Sequence, residues 1–120
     1  MRRIALLLAL PVAACVNTIA VTTEPFKPTA AELAQSRAII AGGMKDPASA
    51  QFREGRSYVL NNGDRVFCGE VNAKNSYGGY TGFTPYWLRM RGGSVASTLF
   101  DEVAREGCAQ AAFGQTTVSS

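Results

Sequence analysis

Cys68 and Cys108 constrain this chain more than any other two residues. A bond between them would close a loop of about 40 residues and contribute on the order of 3–4 kcal/mol through closure entropy. For a domain of this size that is a large share of net stability. Whether they bond depends on the compartment, and the N-terminus speaks to that. Met1-Arg2-Arg3 is a short positive segment, residues 4–10 (IALLLAL) are apolar, and Pro11-Val12-Ala13-Ala14 brings small residues. This is the layout of a secretory signal peptide over residues 1–14. The apolar run falls short of the roughly 20 residues that cross a bilayer. Export to an oxidising compartment predicts a Cys68–Cys108 disulfide.

The third cysteine, Cys15, directly follows the small residues. Val12-Ala13-Ala14-Cys15 resembles the lipobox of bacterial lipoproteins, with Val in place of the more usual Leu. The resemblance implies that Cys15 carries palmitate-type lipid and becomes the mature N-terminus. The alternative is ordinary signal-peptidase cleavage and a secreted or soluble periplasmic protein, since Val-x-Ala also suits that enzyme. Val16, rather than Asp, would point to the outer membrane under enterobacterial sorting.

Export changes the charge. The full chain has 12 basic and 9 acidic residues. Without Arg2 and Arg3 the excess falls to about +1, which removes most of the argument for a nucleic-acid partner. The partners expected are the membrane, through the lipid, and an envelope protein, peptide or glycan.

The rest of the chain divides as follows. Residues 15–28 read as the lipidated Cys and a tether, with two prolines and no sustained period. Residues 29–113 read as the domain. Thr29 and Glu32 form a capping box for a first helix, with Leu33, Ile40 and Met44 on one face. Arg37 intrudes on that face, its stem buried and its head outside. Gly42-Gly43 ends the helix. DPASAQF, residues 46–52, predicts one or two helical turns from an Asp cap, with Phe52 inward. Residues 56–60 and 65–71 flank Asn62-Gly63, a two-residue hairpin signal. That register pairs Tyr58 with Phe67 and Ser57 with Cys68. A third strand runs from Phe83 to Arg91, with Pro85 at its start or on an edge. Gly92-Gly93 then leads into a last helix capped by Ser94 or Ser97, with Leu99, Phe100, Val103, Ala104, Cys108 and Ala111 as its apolar stripe. Residues 114–120 read as a frayed tail. The fold predicted is α+β: an N-terminal helix, a three-stranded antiparallel meander, a C-terminal helix and one disulfide.

The chain has no His, which removes the commonest general base and transition-metal ligand. No cysteine spacing matches a zinc site, and no phosphate-loop motif is present. No metal or other cofactor is expected. Glu70, beside Cys68, is the one candidate catalytic carboxyl; burial there would raise its pKa for acid–base work, as in a small hydrolase or isomerase, with Lys74 as a second group. Its competing reading is a pair with Lys or Arg. The stronger candidate is a binding surface. Tyr77, Tyr80 and Trp87, near Phe83 and Tyr86, bring aromatics, and Asn72, Lys74, Asn75 and Arg89 bring amides and cations. That mixture suits a sugar, a peptide or a protein. The competing reading is that the aromatics seal a small core.

DPASAQF together with CGEVNAKNSYGGYTGF, residues 68–83, resembles a group of small exported bacterial proteins, many of them lipoproteins, that share DPxSAxF and CGEVNAKNSxGGYTGF. The resemblance covers about a fifth of the chain. It implies a signal peptide and a compact exported domain and carries no activity.

Overall fold

The computed structural model of the protein describes residues 17–119. Residues 1–14, expected to be a signal peptide, and Cys15 lie outside the described residues. Within them, one six-stranded antiparallel sheet curls into a half-barrel. Its strands are β1 (Thr18–Pro25), β2 (Gln51–Leu60), β3 (Arg65–Asn72), β4 (Thr84–Arg91), β5 (Ser94–Phe100) and β6 (Gln115–Ser119). They lie in the order β5-β4-β3-β2-β1-β6. Two helices, α1 (Ala30–Gly42) and α2 (Asp101–Ala112), cover its two faces.

This overturns the expected helix, three-strand meander and helix. The supposed tether contains β1, and the supposed tail is β6. In β1, Val21 and Thr23 are buried while Thr22 and Glu24 are exposed, the period of a half-buried strand. Neither terminal strand can satisfy its backbone donors and acceptors alone. They pair with each other from Thr18↔Ser119 to Thr22↔Gln115, and the end of β1 also pairs with β2.

The expected last helix is two elements. Gly92-Gly93 does not lead into a helix; it forms a two-residue hairpin turn in which Arg91 pairs with Ser94. Gly92 has φ +60, and Gly at the first central position is what a type II′ turn needs. Leu99 and Phe100 therefore belong to β5. α2 starts at Asp101, and Ala104 and Ala111 are buried beneath it, while Val103 is 61 % exposed.

The β2–β3 hairpin also differs from its expected form. Leu60 N–H donates to the Asp64 carbonyl (2.8 Å) and Gly63 N–H to the Leu60 carbonyl (2.9 Å). The loop thus has three residues, Asn61-Asn62-Gly63, and of these only Gly63 has positive φ (+91). One extra residue slips the register by one. Tyr58 pairs with Val66 and Ser57 with Phe67. A one-residue slip moves side chains to the other face, so Tyr58 and Leu60 join Val66, Cys68 and Trp87 under α2. Phe67 and Val71 join Ile40, Tyr86, Leu88 and Met90 under α1.

α1 forms where expected. The Thr29 hydroxyl accepts from Glu32 N–H (3.1 Å), the Glu32 carboxylate accepts from Thr29 N–H (3.4 Å), and Gly43 caps the other end. Glu32 also pairs with Arg65. The Arg37 head is not free in solvent. It lies 5.4 Å from the Phe52 ring centroid, and its Nε is buried. DPASAQF gives one 3₁₀ turn, Pro47–Ser49, and Phe52 enters β2; the Asp46 side chain makes no cap hydrogen bond.

The disulfide Cys68–Cys108 is present, with Cα atoms 6.1 Å apart. It staples α2 to β3 through the α2-side core. Two close approaches fix the neighbouring strand. A Cβ on Gly69 would stand 2.7 Å from the Tyr86 hydroxyl, and one on Gly107 would stand 3.2 Å from the Trp87 ring. Glycine at these two positions leaves room for Tyr86 and Trp87, the aromatics of β4.

Candidate functional site

The chain between β3 and β4, residues 73–83, is a second small hairpin standing on the sheet. Lys74 and Tyr80 form a lone antiparallel bridge at its base. At its tip, Asn75 N–H donates to the Gly79 carbonyl (2.9 Å) and Gly78 N–H to the Asn75 carbonyl (3.1 Å). This is the bond pattern of the Leu60–Asp64 loop, and Gly78 (φ +80) takes the place of Gly63. The Asn75 side-chain oxygen locks the tip further, accepting from Tyr77 N–H (2.9 Å) and Gly79 N–H (3.2 Å). An Asn oxygen that satisfies local backbone donors is the usual way this residue sets a turn.

The hairpin is buttressed by the 3₁₀ turn. Ser49 Oγ donates to the Asp46 carbonyl (2.7 Å) and accepts from Lys74 N–H (2.8 Å). The Tyr80 hydroxyl donates to the Ser49 carbonyl (2.9 Å). The Asn72 side chain accepts from Gly82 N–H (3.1 Å) at the other root. The segments DPASAQF and CGEVNAKNSYGGYTGF therefore meet in space, with Ser49 as their joint.

What this frame presents is Tyr77. Its side chain is 97 % exposed, the most exposed large hydrophobic side chain among the described residues, and Tyr80 beneath it is 43 % exposed. Lys74 Nζ lies 5.7 Å from the Tyr80 ring centroid. Lys74 and Tyr80 thus sit together at the base of the hairpin, and Tyr77 projects at its tip. Asn72 and Asn75 are also here, but their carbonyl oxygens are used to build the loop.

Trp87 and Arg89 do not belong to this surface. Trp87 is 3 % exposed and packs in the α2-side core. Arg89 is 2 % exposed and is committed to Asp64 (2.6 Å) and to the Ser119 carbonyl (3.0 Å) and hydroxyl (3.1 Å). Both lie on β4, where residues close in sequence to the loop turn inward. Glu70 is held by Arg53, whose Nε donates to its carboxylate at 2.7 Å, and the Arg53 guanidinium in turn stacks 3.8 Å from the Phe83 ring centroid. Glu70 is thus the paired carboxylate of its competing reading, and no second acid or base accompanies it in that contact.

Two features were not foreseen. Ser49 carried no distinguishing signal, because its role depends on contacts 25 and 31 residues away. Asp64 falls in the loop between the two predicted strands, yet it is 2 % exposed and gathers two arginines, Arg89 and Arg91. The Arg91 guanidinium contributes most to holding its carboxyl below the usual carboxylate range; burial pushes the other way, and Arg89 adds to the lowering. The network joins the β2–β3 turn to β4 and β6 and has a structural character.

Among the described residues no group of three or more His, Cys, Asp or Glu side chains could hold a metal ion, and no helix is long and apolar enough to cross a membrane. In comparisons with protein families, curated proteins and solved structures, nothing matched the chain. They lend no support to the resemblance carried by the two signature segments.

Proposed function

We propose that the protein is an exported, lipid-anchored envelope protein that acts as a binding module, with the hairpin tip as its contact surface. The observation that carries this reading is Tyr77, an almost fully exposed aromatic on a tip locked by Asn75. An exposed aromatic on a rigid support loses little conformational entropy on binding, and tyrosine is enriched among residues that dominate interface energy. The tip is convex. A small ligand needs a concavity that buries most of its surface, whereas a projecting Tyr suits insertion into a pocket on a protein or peptide partner. Lys74, against Tyr80 at the base of the same hairpin, would favour an acidic rim on that partner. The signal-peptide layout of residues 1–14 and the lipobox-like Val12-Ala13-Ala14-Cys15 support export and anchoring, and the Cys68–Cys108 disulfide accords with an oxidising compartment.

The test is site-specific photo-crosslinking in intact cells, with the photoreactive residue at 77 and, as control, at Ala38 on α1. The reading predicts a discrete adduct from position 77 that is absent from position 38. Affinity for the captured partner then falls at least tenfold in Tyr77→Ala. No position-77 adduct, or an adduct whose affinity is indifferent to Tyr77→Ala, would remove the tip as the contact surface.

A further inference from the structure

The two edges of the half-barrel, β5 and β6, are not paired with each other. Between them, alongside α2, lies a cleft of ≈ 490 Å³. Trp87, Leu99, Val103 and Val118 give it apolar walls, and Thr18 stands on its rim. Thr18 is also the first residue of β1. The chain therefore enters β1 beside this cleft.

Cys15 comes three residues before Thr18. Three residues of fully extended chain reach at most about 11 Å. A flexible tether over residues 16–28 would let an anchored domain take any orientation. With β1 starting at Thr18, most of that tether is strand. A lipid on Cys15 would hold the rim of the cleft within about 11 Å of the modified residue, close enough for the domain to meet the bilayer surface.

Two apolar side chains near this rim are exposed to solvent, beside the exposed Glu102 and Glu106 of α2. Ile19, next to Thr18, is 41 % exposed, and Val103 on α2 is 61 % exposed. Ile19 pairs across the sheet with Val118, which packs in the α2-side core, so Ile19 belongs to the same face. Among the residues lining the cleft, Glu106 is the one charged side chain.

We propose that the α2 side of the sheet, at the gap between β5 and β6, rests on the lipid bilayer, with Ile19 and Val103 meeting it. This inference rests on the lipid-anchor reading above and adds an orientation to it. α1, on the other face of the sheet, then points away from the membrane. With no basic side chain lining the cleft, the contact is apolar rather than electrostatic and persists in salt.

The experiment uses the full lipidated protein, purified from membranes and reconstituted into phosphatidylcholine vesicles with brominated acyl chains. A single cysteine is added as Val103→Cys or, on the opposite face, Ala38→Cys. Both positions are exposed, so neither variant disturbs the core. With Cys68 and Cys108 bonded to each other and Cys15 acylated, the added thiol takes the fluorophore. The expected result is quenching several-fold stronger at position 103 than at position 38, unchanged at high salt. Equal quenching, or stronger quenching at 38, in protein that floats with the vesicles would overturn the docked orientation and leave the anchor standing. Protein that does not float would overturn the anchor and the orientation with it.

Discussion

Asp64 shows how one side chain can close a fold. It accepts from Arg89 (2.6 Å) and twice from Arg91 (3.0 and 3.1 Å), while lying 2 % exposed. Removing one partner of a buried ion pair leaves the other uncompensated, at a cost of about 3–5 kcal/mol. Asp64→Asn should therefore lower unfolding free energy by about that amount in urea titration. The pH dependence has a definite sign. The folded-state pKa of Asp64 is depressed, chiefly by Arg91, so the stability it contributes is present above the unfolded value of about 3.9 and is lost as pH falls below it. Wild type should lose stability steeply below about pH 4, and Asp64→Asn should flatten that slope; an equal slope in both would refute the assignment. None of this was legible in residues 61–64 (NNGD), the loop between the two predicted strands. The arginines that bind it come from a strand 25 and 27 residues later.

At the scale of elements, what could be read was what is decided locally. The Thr29–Glu32 capping box acts over three residues and forms as expected. β1 and β6 depend on each other across nearly the whole described chain; the largely β-branched run Thr18–Thr23 is itself a strand signal that the tether reading passed over, and QTTVS is too short to stand out. The β4–β5 turn failed for another reason. Gly92-Gly93 satisfies a hairpin turn and a helix approach equally well in sequence, and Leu99 and Phe100 happened to extend the stripe of α2. The disulfide, by contrast, follows from the expectation of export and of a lipid on Cys15, which leaves two cysteines to pair. It ties α2 to the third strand across a separation of 40 residues. Cys108→Ser should cost about 3–4 kcal/mol by closure entropy, seen as a lower urea midpoint. An unchanged midpoint would mean that packing alone fixes α2.

For the whole molecule, the candidate site was half visible. The loop and its tyrosines stood out in CGEVNAKNSYGGYTGF. Which aromatics face outward was set by pairing: β4 turns Trp87 and Arg89 into the α2-side interior, while the small hairpin holds Tyr77 out. Tyr77→Ala should leave unfolding free energy within about 0.5 kcal/mol of wild type, because Tyr77 is exposed and its backbone N–H still donates to Asn75. A larger loss would show that the side chain has a structural role. The proposed anchoring rests on residues 12–15, and the orientation proposed for the domain depends on it. The most direct measurement is therefore the intact mass of the mature protein extracted from membranes. The account predicts a chain that begins at Cys15 and carries acyl groups there, with Cys68 and Cys108 oxidised. A chain with an unmodified Cys15 thiol, or one that begins after residue 15, would contradict it.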